Sequence, residues 1–115
     1  MTDTEAPEPR VFTYAEAVKL LPQVRRITET AFEKVQHLSE AAQIGTRNED
    51  DAQRLADGVV SGWARELAEL GVAIKGLWLA DFDNGSGYYC WKYPESGLRF
   101  FHTYEGGFKS RMPIQ

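Results

Sequence analysis

The hydrophobic rhythm of the chain changes at Gly71, and no other feature constrains the fold as much. Before this point apolar residues recur every three or four positions. After it they alternate or bunch in short runs broken by turn residues. The first period belongs to helices with one buried face, the second to strands whose side chains point alternately to two faces.

The helical part opens at Thr13. Thr13-Tyr14-Ala15-Glu16 has the form of a capping box, in which the Thr hydroxyl accepts the Glu16 amide and the Glu carboxylate accepts the Thr13 amide. Val18, Leu21, Val24, Ile27, Ala31, Val35, Leu38 and Ala42 then form one apolar stripe, with charged residues mostly off it, and Gly45 ends it. Pro22 either kinks this helix or starts it anew after a short first turn. Thr46-Arg47-Asn48-Glu49 reads as a second capping box, and Glu49, Asp50 and Asp51 suit the positive end of a helix dipole. The second stripe is Ala52, Leu55, Ala56, Val59, Trp63, Leu67 and Leu70, closed by Gly71. Gly58 and Gly62 inside it each cost up to ~1 kcal/mol against Ala, for which close approach of the first helix is the simplest reason and a self-association face the alternative. So short a link makes the two helices an antiparallel hairpin.

The rest, dense in aromatic residues, reads as three strands: Val72 to Phe82, Tyr88 to Tyr93 and Leu98 to Tyr104. Asp83-Asn84-Gly85-Ser86-Gly87 is the first turn and Pro94-Glu95-Ser96-Gly97 a tight hairpin loop, with an irregular tail from Phe108. Three strands need a cover for their apolar face, and the helices supply it. The expected fold is α+β of order ααβββ: an antiparallel helical hairpin packed on a three-stranded antiparallel β-meander. It occupies residues 11–115 as a single domain, behind a disordered leader at 1–10 that holds acids, prolines and little to bury.

Composition narrows the function classes. No apolar run is long enough to span a membrane, and no secretory signal is visible. The single Cys cannot form an internal disulfide, which fits a cytoplasmic protein. A net charge of −4 disfavours nucleic acid as a partner, because phosphate binding draws on Lys and Arg. Aromatics alternate along the strands, so about half would lie on the open sheet face. A self-associating module, most economically a homodimer, would cover them.

Polar chemistry concentrates in the same strands. Cys90 and His102 lie on neighbouring strands, with Asp81, Asp83, Glu95 and Glu105 near strand ends and Arg111 beyond them. A divalent metal ion is the cofactor such donors would take, with His102, Cys90 and Glu95 as ligands. Arg111 would answer an anionic ligand. Two registers stand open. If Tyr93 pairs with Leu98, Cys90 and His102 point to opposite faces. If the loop is one residue shorter, with a bulge at Gly97, they share one. Against a site stand the absence of any CxxC, HxxxH or HExxH spacing and the common use of a lone strand Cys as a small core residue. Nothing marks the orienting group that a Cys–His nucleophilic pair needs.

Phe12-Thr13, Glu16-Ala17 and Leu20-Leu21-Pro22 open a wider pattern. It continues through Glu66 to Val72 with Ile74-Lys75, then Asp81-Phe82, Cys90-Trp91, Glu95, His102, Gly107-Phe108 and Arg111-x-Pro113. In these residues the chain resembles the bacterial family known as domain of unknown function 2203, over Phe12 to Pro113. Asp83, Pro94 and Phe101 depart from that pattern, and Asp81, Cys90, Glu95, His102 and Arg111 keep it. The resemblance implies an intracellular bacterial protein with a helical hairpin and a small sheet. It implies no activity. It does point to a ligand site, since packing explains those five polar residues poorly.

Overall fold

The structure, a computed structural model, describes residues 10–115. The leader expected at 1–10 therefore lies outside the described residues except for Arg10, whose guanidinium stacks 4.3 Å over the Phe12 ring.

Helix α1 spans Tyr14–Gln43 and α2 spans Glu49–Glu69. The box at Thr13 forms as its sequence dictates: Glu16 N–H donates to Thr13 Oγ1 at 3.1 Å and Thr13 N–H to Glu16 Oε1 at 2.9 Å. Pro22 lies within an unbroken α1. The helix ends at Ile44, followed by Gly45 at φ 81°, a left-handed conformation that glycine adopts freely. The second box does not form. Asn48, not Thr46, caps α2, its Oδ1 accepting the Asp51 N–H at 3.1 Å, while Thr46 Oγ1 donates to the Ala41 carbonyl. Asn is as good a cap as Thr, and here the turn hydrogen bonds back to α1 claim Thr46 first.

The reason offered for Gly58 and Gly62 fails as well. A Cβ at either would meet nothing within 4 Å, so α1 does not press on them. They instead border a groove of ≈ 380 Å³ between the helices. The helices are joined elsewhere, by Ala31 and Trp63 in the core and by a buried hydrogen bond from Trp63 Nε1 to Thr28 Oγ1 at 2.8 Å.

Among the described residues the sheet has five antiparallel strands in sequence order, not three: β1 Ala73–Gly76, β2 Leu79–Asp83, β3 Gly87–Lys92, β4 Phe100–Thr103 and β5 Met112–Pro113. The segment expected as one strand from Val72 to Phe82 folds back on itself at Leu77–Trp78, a two-residue connection with Gly76 opposite Leu79. Trp78, the second of the two connecting residues, takes a positive φ of 63°. A non-glycine residue there costs of order 1–3 kcal/mol. Burial of the indole among Trp63 and Phe32, with ring centroids at 5.0 and 5.7 Å, offsets that cost. The tail from Phe108 is ordered into a short 3-10 helix, Phe108–Ser110, and then β5.

One sheet face carries the helices. Ala80, Phe82 and Trp91 join Phe12, Leu21, Val24, Trp63 and Leu67 in a single core cluster. Phe12 is pinned at this layer by its ring, edge-on to Phe82, and by its N–H, which donates to the Asp83 carbonyl at 2.7 Å.

Candidate metal centre

Strand periodicity turns every second residue of β2, β3 and β4 away from the helices. The observed register sets which ones meet. Asp81 pairs with Cys90 across β2–β3, Cys90 with Phe100 and Tyr88 with His102 across β3–β4. Asp81, Cys90 and His102 therefore share the face opposite the helices. Of the two registers open to the sequence, this is the one that puts Cys90 and His102 on the same side.

The expected tight loop at Pro94–Gly97 does not produce it. The β3–β4 ladder ends at Cys90 opposite Phe100, and residues 93–99 between the two strands form a longer loop. Glu95 organises its start: Glu95 N–H donates to the Lys92 carbonyl at 2.8 Å, Lys92 N–H to Glu95 Oε1 at 2.9 Å, and Trp91 Nε1 to the Glu95 carbonyl at 2.9 Å. At the other end of β3, Gly87 lies so close to β4 that a Cβ would collide with the His102 carbonyl oxygen. Glycine here lets β3 and β4 approach at the residue that carries the imidazole.

The three side chains are buried, at 1%, 1% and 2% exposure for Asp81, Cys90 and His102. Each offers one donor atom, and these atoms all lie within 4.8 Å of one another. His102 is held from both sides. Its Nδ1 is 2.8 Å from the Thr103 carbonyl, which can only accept, so Nδ1 carries a hydrogen. Its Nε2 is 2.9 Å from Asp81 Oδ2. Asp81 Oδ1 is buried and, among the described residues, has no hydrogen-bond partner. Burial foremost, then the neighbouring Asp81 charge, push the Cys90 thiol from its usual 9.0 up to about 12. Burial and the Asp81 charge both disfavour the thiolate that a nucleophilic Cys–His pair would need.

A divalent cation held by these three donors would give Asp81 Oδ1 a partner and would favour the thiolate. Imidazole, thiolate and carboxylate are the ligand types of zinc and its neighbours. A ligating His commonly donates its other ring N–H to a backbone carbonyl, as His102 does to Thr103.

Glu95 and Arg111 stand beside this set and not within it. Arg111 Nη2 donates to Glu95 Oε1 at 2.7 Å and lies 3.4 Å from the Cys90 carbonyl. Its guanidinium is 4.0 Å from the Phe100 ring centroid and 4.6 Å from that of Phe108. The Glu95 carboxylate, expected as a metal ligand, thus holds Arg111 and the Lys92 amide, and the carboxylate beside Cys90 and His102 is that of Asp81. Tyr88 completes the surroundings, its ring 5.5 Å from His102 and 5.2 Å from Tyr104, with Lys75 Nζ 4.9 Å above it. The Tyr104 hydroxyl donates to Asp83 Oδ1 at 2.8 Å, a bond that raises its pKa, and Asp83 belongs to this outer contact rather than to the cluster.

The roles of Thr103 and Gly87 escape sequence reasoning. One acts through its carbonyl and the other through the absence of a side chain, and neither leaves a mark in residue type. Among the described residues, no helix is long and apolar enough to cross a membrane.

No curated protein and no solved structure matches the chain. A family model described as uncharacterized conserved protein (DUF2203) matches residues 10–114, nearly the whole chain, and the protein belongs to that family.

Proposed function

We propose that the protein binds a divalent transition metal of the zinc class through Asp81, Cys90 and His102. One observation carries this reading: three buried donors of the right chemical types, each on a different strand, with ligand atoms within 4.8 Å of one another. Charge supports it. Thiolate and carboxylate together cancel the two charges of the ion, and a neutral cluster can stay buried where an unbalanced one could not. The soft thiolate and the imidazole argue against magnesium or calcium, which take oxygen ligands.

The test is titration of the chelator-treated protein with Co²⁺, read by the visible absorption of the bound ion and by a sulfur-to-metal charge-transfer band. One equivalent should bind to the native chain, and Cys90→Ser should remove the charge-transfer band. His102→Gln and Asp81→Asn should weaken binding at least tenfold. A chain that takes up no stoichiometric metal, or whose Cys90→Ser variant keeps the band, overturns the proposal.

Self-association is a second reading, favoured by exposed Tyr104, Phe108 and Met112 within nine residues at the β4–β5 end of the sheet. Light scattering tests it. A dimer that Phe108→Ser dissociates supports it, and a monomer at all concentrations removes it.

A further inference from the structure

Three protein donors would leave a tetrahedral ion one position short, and a cation, Arg111, stands beside Cys90. Across the outer face the order is Asp81 on β2, Cys90 on β3, then Phe100 on β4 with the Arg111 guanidinium stacked on its ring. Arg111 thus sits on the side of Cys90 opposite Asp81. It is held there by Phe100, Phe108, the Glu95 carboxylate and the Cys90 carbonyl. Those contacts use its Nη2 and its flat faces. Its Nε is buried and, among the described residues, meets no acceptor. A buried N–H of a charged group without an acceptor is expensive, and natural structures seldom keep one without a use.

Resting on the metal-binding reading above, we infer that Arg111 is the positioning residue for a small anionic donor, hydroxide or an anion of similar size, that completes the coordination of the metal. The ion's charge is already cancelled by Asp81 and Cys90, so a further anion needs a cation of its own. Arg111 is the cation at hand. Its pairing with Glu95 does not cancel that role, because the Glu95 side chain is 27% exposed and shares its charge with solvent, whereas that of Arg111 is 12% exposed. The guanidinium fork leaves Nε–H as a second, separately directed donor once Nη2 is engaged. The clamp between two aromatic rings keeps that donor in one orientation whether or not an anion is present.

The test uses the full chain loaded with Co²⁺ and azide as the probe anion. Azide should change the visible spectrum of the native Co²⁺ protein in a saturable way. In Arg111→Ala azide affinity should fall by roughly ten- to hundredfold, the worth of one charge-assisted hydrogen bond. Co²⁺ affinity should change less than threefold, which a merely structural role for Arg111 would not produce. Arg111→Lys keeps the charge and lacks the Nε–H fork, and should show most of the same loss. It decides the matter if circular dichroism shows Arg111→Ala unfolded. If azide leaves the spectrum unaltered, or acts equally on native and variant proteins, the role of Arg111 is overturned while the metal site stands. Failure of the native chain to bind Co²⁺ overturns both.

Discussion

Removing His102 should cost the metal-free protein far more than altering Asp81, and the hydrogen bonds give the size of the difference. Asp81 Oδ2 has one partner, His102 Nε2 at 2.9 Å, and its buried Oδ1 has none among the described residues. His102→Leu therefore leaves a buried carboxylate with no strong donor, only the weak Cys90 S–H beside it. Breaking a buried pair from one side costs about 3–5 kcal/mol. That is a large part of the roughly 5–15 kcal/mol by which a domain is stable. Asp81→Asn is different. With Nδ1 fixed as the donor to Thr103, neutral His102 presents a lone pair at Nε2, and the Asn amide can donate to it. One neutral hydrogen bond replaces a charged one, and the loss should stay within about 1.5 kcal/mol. The double variant Asp81→Leu/His102→Leu, which removes both polar partners, should recover most of the His102→Leu loss. Urea denaturation in the presence of a chelator measures all three, with the chelator excluding stabilisation by bound metal. Equal losses for His102→Leu and Asp81→Asn, or a double variant worse than His102→Leu, would refute the reasoning, since the carboxylate would then not depend on the imidazole.

Three further outcomes follow from the same structure. The folded Cys90 thiol is raised to about 12 from 9.0, so the unfolded chain releases its proton first; stability relative to Cys90→Ala should be fully kept below pH 9 and decline between pH 9 and 12, read by urea midpoints, and a constant difference would contradict it. Thr28→Val leaves the buried Trp63 N–H without an acceptor and should cost about 1–3 kcal/mol, whereas Thr28→Ser should be milder; thermal unfolding distinguishes them. Gly87→Ala should force β3 and β4 apart at His102, costing about 1–3 kcal/mol and weakening Co²⁺ binding, and a variant with native stability and affinity would show that the strands yield there without consequence.

The helices were legible in the sequence because their signals are local. The capping box at Thr13, the stop at Gly45 and the apolar stripe through Leu21, Val24 and Ala31 need only neighbours within one or two turns. The second cap shows where local reading ends: Thr46 and Asn48 both suit the role, and the turn's contacts with α1 chose between them. The turn at Leu77–Trp78 was missed because a tryptophan with positive φ contradicts its own local preference, and the cost is met by rings far away in sequence. The two-residue β5 is a strand only because Phe100 and Phe101 of β4 lie beside it.

By itself, the order of residues determined an α+β domain, its two helices, and the polar residues from which a site would be built. It named Asp81, Cys90, Glu95, His102 and Arg111, but set Glu95 rather than Asp81 beside Cys90 and His102. Tertiary structure decided which of them meet, because a one-residue change of register turns every second side chain to the other face of a sheet. In the observed register Cys90 faces the same way as His102 and Asp81, with the loop held by Glu95 at one end of β3 and the close approach at Gly87 at the other. The tertiary structure also pairs Glu95 with Arg111, sixteen residues apart, which no local pattern encodes.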